Sequence, residues 1–173
     1  FRKLARGLID TKMDIVWTTH MRFEKSLLED QVWQDAKASG CKYLHFGYES
    51  GNERVLKLMD KATTTEIMTK HLKYTAEAGI WNHCMGFFGF PGETREEAWS
   101  SVEFLEQNRD YVHSLGFGTF DLGRHNPVAK HPEKFGVTAY KNPEWDLALD
   151  YYFTVKQGLS IEEAERVFEE FER

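Results

Sequence analysis

Cysteine is scarce in these 173 residues, with Cys41 and Cys84 far apart in sequence and no others. Two isolated cysteines exclude a disulfide-built scaffold and read as reduced, packed thiols. No apolar run approaches the ~20 residues that a membrane helix requires. The opening Phe1-Arg2-Lys3-Leu4 carries no secretory signal pattern, so a cytoplasmic protein without membrane contact is expected. Basic charge is not in excess either. The formal charge is −6, with Lys and Arg scattered among Asp and Glu. That leaves no stripe for tracking phosphates and argues against broad nucleic-acid binding. An initiator methionine is also missing, and Leu4, Leu8 and Ile9 already fall at helical spacing. The chain is therefore expected to be a segment of a longer protein.

What is present is the material of a core. Hydrophobic residues make up 41% and aromatic residues 14% of the chain, enough apolar side chain for one globular domain. They recur in short periodic groups rather than in low-complexity tracts, which separates this composition from that of a disordered segment.

Ile15 to Thr19 is a β-branched and aromatic run ending near Arg22, and predicts a mostly buried strand. Ser26 and Glu29 have the spacing of a capping box before a helix with Val32, Trp33 and Ala36 on one face, stopped at Gly40. A second strand spans Tyr43 to Tyr48. The Gly51-Asn52 turn then leads to a short helix bearing Val55, Leu56 and Met59. Thr63 and Glu66 predict the cap of a helix with Met68, Leu72, Thr75 and Ala76, closed by Gly79. A third strand, Ile80 to Phe90, is broken by Pro91-Gly92. Thr94 and Glu97 open a helix with Ala98, Val102 and Leu105 on one face, and a fourth strand follows from Leu115 to Leu122.

Four strands alternating with helices predict parallel β-α units adjacent in chain order, hence an α/β fold, either a barrel or a doubly wound sheet. Gly123 to Pro143, with three of the four prolines, reads as a long irregular loop. Two amphipathic helices are expected to finish the chain. One carries Leu147, Ala148, Tyr151 and Val155, and the other carries Ile161, Ala164, Phe168 and Phe171 behind a Ser160/Glu163 capping box.

In a parallel barrel, ligands gather at the C-terminal ends of the strands, which here carry Arg22, Glu49 and the turn from Gly89 to Thr94. The period of two places Tyr43, His45, Gly47 and Glu49 on one face of the second strand and the apolar Leu44, Phe46 and Tyr48 on the other. Gly47 then leaves space for a bulky ligand below Glu49, whose carboxylate can accept two hydroxyl hydrogen bonds. A competing assignment has Glu49 capping the next helix or pairing with Arg22 or Lys61, and spacing does not separate the two.

Together, Gly47-Tyr48-Glu49-Ser50-Gly51-Asn52, Val55-Leu56, Met59-Asp60-Lys61, Ala78-Gly79-Ile80 and Phe88-Gly89-Phe90-Pro91-Gly92-Glu93-Thr94 resemble the second half of the radical S-adenosylmethionine barrel. The resemblance covers Asp14 to Leu122 and is nearest to the cobalamin-associated iron–sulfur oxidoreductase branch. It implies a partial TIM-type barrel of about four strands over residues 1–143, lacking the first two family strands and the cluster loop, with a helical extension over 144–173. It further implies an enzyme whose full length binds S-adenosylmethionine and a [4Fe-4S] cluster, cleaves the former reductively to a 5′-deoxyadenosyl radical and, in that branch, also uses cobalamin.

The roles the resemblance implies for this segment are contacts to the cofactor's ribose, carboxylate and adenine. Glu49, with Ser50 beside it, matches the position that holds the ribose hydroxyls. Lys61 matches a basic position that pairs with the methionine carboxylate, and Gly89, Phe90 and Pro91 match the turn beside the adenosyl group. Arg22 matches a polar position at the end of a strand. Substrate contacts would fall in Gly123 to Val137, and the substrate itself is not decoded. The departure from the family is the absence of its CxxxCxxC loop, so the isolated segment is expected to be inactive.

Two other readings compete. His20, His45 and His83 lie on three consecutive strands, with Asp121 and His125 further on, as in a metal-dependent hydrolase barrel. Against it, His45 lies about 13 Å below Glu49 along its strand (~3.3 Å per residue). The second is a non-catalytic interaction domain anchored by Trp17, Trp33, Trp81 and Trp99, although tryptophans at helical spacing more often pack inward. An incomplete barrel also exposes apolar edges, so self-association is expected alongside a small-molecule partner. Because three thiolates in local spacing hold a cluster, anaerobic reconstitution of this chain with iron and sulfide should give no four-iron species. A stoichiometric [4Fe-4S] absorption and iron content would contradict the reading of the cysteines.

Overall fold

The computed structural model describes residues 1–140 and 149–173. In chain order the elements are α1 (Arg2–Asp10), β1 (Trp17–Met21), α2 (Asp30–Ala38), β2 (Cys41–Glu49), α3 (Glu53–Leu58), α4 (Thr65–Glu77), β3 (Trp81–Phe88) and α5 (Arg95–Gln107). There follow β4 (Ser114–Thr119), β5 (Leu122–Gly123), α6 (Pro127–Lys130), β6 (Val137–Tyr140), β7 (Asp150–Val155) and α7 (Ile161–Phe171). β1 to β4 form one sheet in chain order, with β1 parallel to β2 and β2 parallel to β3. This is the α/β arrangement of four parallel strands that the alternation of strand and helix predicts. Contacts divide the described residues into two compact units, 1–86 with 103–116, and 87–102 with 117–173.

The core of the first unit follows from the alternation along β2. Leu44, Phe46 and Tyr48 are buried completely, whereas Tyr43, His45, Gly47 and Glu49 are partly open. Phe46 stacks on Phe23 at 4.5 Å and Tyr48 on Phe104 at 5.4 Å, with Val32, Trp33 and Ala36 of α2 and Met68 and Leu72 of α4 buried as well. Each large side chain removed from water here contributes about 1.5–3 kcal/mol. β1 is more exposed than the sequence suggests. Its residues alternate between half-buried and exposed because it is the sheet's edge, and Val16 just before it is 72% exposed.

Several caps differ from expectation. α2 begins at Asp30 behind Glu29 without a side-chain cap, and Ser26 instead lies in a 3₁₀ turn, Lys25–Leu27. α4 is capped by Thr64, one residue after the expected Thr63, its hydroxyl accepting from the Ile67 amide. The Thr94/Glu97 pair does form both arms of its box, at 2.9 and 3.3 Å, and so does Ser160/Glu163.

In the second unit, Phe88, Ala98, Leu159, Ala164 and Val167 form a buried cluster joined by Phe117 and Phe171. The segment expected to be a long loop contains α6, a 3₁₀ turn and β6, and β6 pairs antiparallel with β7 in a small sheet of order β5-β7-β6. The helix expected around Tyr151 and Val155 is strand β7 from Asp150, while Leu147 and Ala148 lie outside the described residues. A spacing of four puts two residues on one face of a strand as well as of a helix, and the aromatic and β-branched run Tyr151 to Val155 favours the strand. No described helix is long and apolar enough to cross a membrane.

Burial favours the neutral form of three histidines of the first unit. His71 is fully buried among Phe23, Trp33 and Phe46, and its Nε2 lies 2.9 Å from the Glu24 carbonyl. His113 Nδ1 accepts the Asn82 amide at 3.0 Å, a bond that protonation would break. His83 is half-buried beside His45 and His20. Burial pushes all three below the ordinary value of 6.5. The unfolded chain therefore binds more protons below pH 6.5, and the stability these residues contribute, complete above that pH, falls as the solution is acidified. Each contributes a slope of at most ~1.4 kcal/mol per pH unit. Urea midpoints should drop between pH 7 and 5, and His71→Leu should flatten that drop.

Candidate functional site

Two backbone irregularities build the polar site of the first unit. At the end of β2 the pairing with β3 slips between Gly47 and Glu49, so that Gly47 faces Met85 and Glu49 faces Gly86. Glu49 then takes a left-handed conformation at φ +63°. The Ser50 amide donates to the Tyr48 carbonyl at 2.8 Å, and Ser50 Oγ, fully buried, accepts the Asn52 amide at 3.1 Å. Asn52 caps α3, its Oδ1 accepting from the Arg54 and Val55 amides at 3.0 and 3.2 Å.

α3 ends in a Schellman-type turn: Lys61 N–H donates to Leu56 O at 2.9 Å and Asp60 N–H to Lys57 O at 3.1 Å, with Asp60 at φ +54°. That turn delivers Lys61. Its Nζ donates to Glu49 Oε1 at 2.9 Å, the two side chains being 34% and 22% exposed. Among the described residues only Lys12, Glu49 and Asp60 are non-glycines at positive φ; Glu49 is itself a member of the ion pair, and Asp60 directly precedes the other member, Lys61. Left-handed backbone costs a side-chain-bearing residue of order 1–3 kcal/mol and collects at functional sites.

Arg22 follows β1 directly and lines, with Gly47, Glu49, Asp60, Lys61 and Thr63, a cavity of about 260 Å³. Arg22, Glu49 and Lys61 are thus brought together, with Ser50 in the supporting turn. The pairing of Glu49 with Lys61, which spacing left open, is present, and the cap of α3 belongs to Asn52 instead.

Gly89, Phe90 and Pro91 belong to the second unit and are buried. A Cβ on Gly89 would lie 2.5 Å from the Ala164 Cβ, and its φ is +86°, so this glycine admits α7. The Gly89 amide donates to Glu93 Oε2 at 2.6 Å, and Phe90 packs on Phe120 and Phe135 at 5.3 and 5.9 Å. Glu93 holds the turn from a fully buried position. The sequence gives no signal for this, because an acidic residue after Pro-Gly looks like solvent-facing turn.

The histidines of the rival metal reading stand in register, His20 opposite His45 and His45 opposite His83. The first two rings stack at 4.6 Å and 17°, while His45 and His83 meet edge to face at 5.4 Å. Stacked imidazoles present faces rather than convergent lone pairs. No group of three or more His, Cys, Asp or Glu among the described residues could hold a metal ion. Ser114 was missed by sequence reasoning: its Oγ receives Trp81 Nε1–H at 2.9 Å and meets Tyr43 OH at 3.1 Å and His83 Nδ1 at 2.8 Å. Of the proposed tryptophan anchors, Trp33 is fully buried, Trp17 and Trp99 are half-buried, and Trp81 is 46% exposed.

The Radical SAM superfamily model matches residues 3–105, and the chain belongs to that superfamily. It is 32% identical over 97 residues to an uncharacterized methyltransferase of Pyrococcus horikoshii, covering 55% of this chain and 20% of the relative. It is 27% identical over 163 residues to cytidylyl-2-hydroxyethylphosphonate methyltransferase of Streptomyces wedmorensis, covering 91% and 29%. The chain thus spans less than a third of these relatives. Among solved structures, the radical S-adenosylmethionine methyltransferase TsrM from Kitasatospora setae superposes with a TM-score of 0.68 at 18% identity, over 96% of this chain and 34% of that one. Coproporphyrinogen III oxidase of Escherichia coli gives 0.65 at 15%, over 98% and 34%. These likenesses are in fold and agree with a partial TIM-type barrel of parallel β-α units.

Neither cysteine fits the role of a cluster ligand. Both are buried, and burial pushes the Cys41 thiol up to about 11 and the Cys84 thiol up to about 12. With so little thiolate at neutral pH, both should react with a disulfide reagent orders of magnitude more slowly in the native chain than in urea. Rapid native labelling of either would contradict this placement.

Proposed function

We propose that this chain is the S-adenosylmethionine-holding segment of a longer radical S-adenosylmethionine enzyme that cleaves the cofactor reductively and transfers a methyl or methylthio group. The observation that carries the reading is the Glu49–Lys61 pair, held at 2.9 Å by two left-handed residues over a glycine floor in a 260 Å³ cavity. A paired carboxylate and ammonium suit a ligand with a vicinal diol at one point and a carboxylate at another.

In this assignment Glu49 accepts the ribose hydroxyls, Lys61 donates to the methionine carboxylate, and Arg22 adds a second cation at the same mouth. Ser50 holds the turn that aims Glu49. Since Cys41 and Cys84 do not fit a [4Fe-4S] cluster, no electron-delivery step is assigned to this chain. The reaction class is supported by relatives named as methyltransferases and by a probable threonylcarbamoyladenosine tRNA methylthiotransferase of Methanocaldococcus jannaschii, 30% identical over 104 residues. Cobalamin is proposed as a further cofactor of the longer protein because TsrM and OxsB, similar in fold, are described with it. No residue of this chain is assigned to it.

In the intact, cluster-loaded protein, Glu49→Ala or Lys61→Ala should weaken S-adenosylmethionine binding by about 1–3 kcal/mol, the range for a lost charge-assisted hydrogen bond. The melting temperature should change little, because the pair is partly solvated. Equilibrium titration beside a melting curve tests this, and unchanged affinity in both variants would refute the assignment.

A further inference from the structure

The slip at the end of β2 and the left-handed φ of Glu49 turn its side chain back along the strand, over Gly47. A Cβ built on Gly47 would lie 3.0 Å from Glu49 Oε1 and 3.8 Å from Glu49 Cδ, with no other atom of the described residues within 4 Å beyond its chain neighbours. The same Oε1 accepts the Lys61 ammonium at 2.9 Å. Gly47 therefore does not serve the backbone: it lies inside a strand, and no positive φ requires a glycine there. Its missing side chain is the seat of the Glu49 carboxylate.

We propose, on the reading of this cavity as an S-adenosylmethionine site, that Gly47 is the positioning residue for Glu49. It sets where the diol-accepting oxygen stands relative to Lys61. The physical reason is that a methyl group at position 47 meets only the far end of a flexible side chain. The strand can accept the substitution and the carboxylate must move. The sequence assigns the space above Gly47 to a bulky ligand, whereas the geometry assigns it to the protein's own carboxylate.

The test uses the intact, cluster-loaded protein and S-adenosylmethionine itself, with equilibrium Kd and melting temperature as readouts. Gly47→Ala should weaken binding about threefold and Gly47→Val about tenfold, graded with the displacement of an oxygen that makes a charge-assisted bond. Melting temperatures should stay within about 2 °C of the parent, since valine favours a strand and alanine is no worse there than the glycine it replaces. In a Glu49→Ala background, Gly47→Ala and Gly47→Val should have no further effect, because the group they displace is gone. If Glu49→Ala weakens binding while both Gly47 variants bind normally, the positioning role is wrong and the cofactor site stands. Additive losses in the double variants would likewise overturn action through Glu49. If Glu49→Ala itself binds normally, the reading of the cavity fails, and the positioning role fails with it. Should Gly47→Val melt early, Gly47→Ala carries the comparison alone.

Discussion

The constraint on which the first unit depends is that β2 must be apolar on one face and polar on the other. Leu44, Phe46 and Tyr48 are completely buried on the side covered by helical residues, and the period of two then commits Tyr43, His45, Gly47 and Glu49 to the opposite side. Slipping the strand by one residue would bury a histidine and a glutamate and expose two aromatic rings. The hydrophobic effect therefore fixes the register, and the register fixes where the polar chemistry stands. His20 and His83 follow from the same rule, because they are the register partners of His45 on the neighbouring strands.

Regular structure carries the polar face upward but does not finish the site. The ion pair is made where regularity stops, at the slip after Gly47 and at the left-handed Glu49 and Asp60. Asn52 and the Schellman-type turn on α3 satisfy the helix ends on either side, so the strained residues are held by hydrogen bonds that do not involve the carboxylate or the ammonium. Glu49 and Lys61 remain partly open to solvent. Their pairing adds little to stability, and the groups stay available to a ligand with complementary charges.

Glycine does three different jobs in the described residues. Gly89 has a left-handed φ and lies against Ala164, so it lets a helix approach. Gly158, also left-handed, lies against the Gly92 backbone and the Glu93 carbonyl, and the Leu159 amide after it donates to that carbonyl at 2.8 Å. Gly47 needs neither and makes room for a side chain of its own strand. A glycine in a motif is thus not one kind of signal, and only its surroundings tell which kind it is.

The sequence by itself determined the parallel α/β alternation, the two faces of β2, the caps at Thr94 and Ser160, and the placing of Arg22 and Glu49 at strand ends. These follow from short-range periodicity and from residues whose partners lie three or four positions away. The same local signals failed from Tyr151 to Val155, where a spacing of four fits both helix and strand, and from Gly123 onward, where β6 exists only because β7 pairs with it. The pairing of Glu49 with Lys61, the burial of Glu93, the Ser114 hub and the use of the space over Gly47 were decided by tertiary structure. Each depends on a backbone slip, a positive φ or a contact between distant residues, and none of these leaves a periodic trace in the chain.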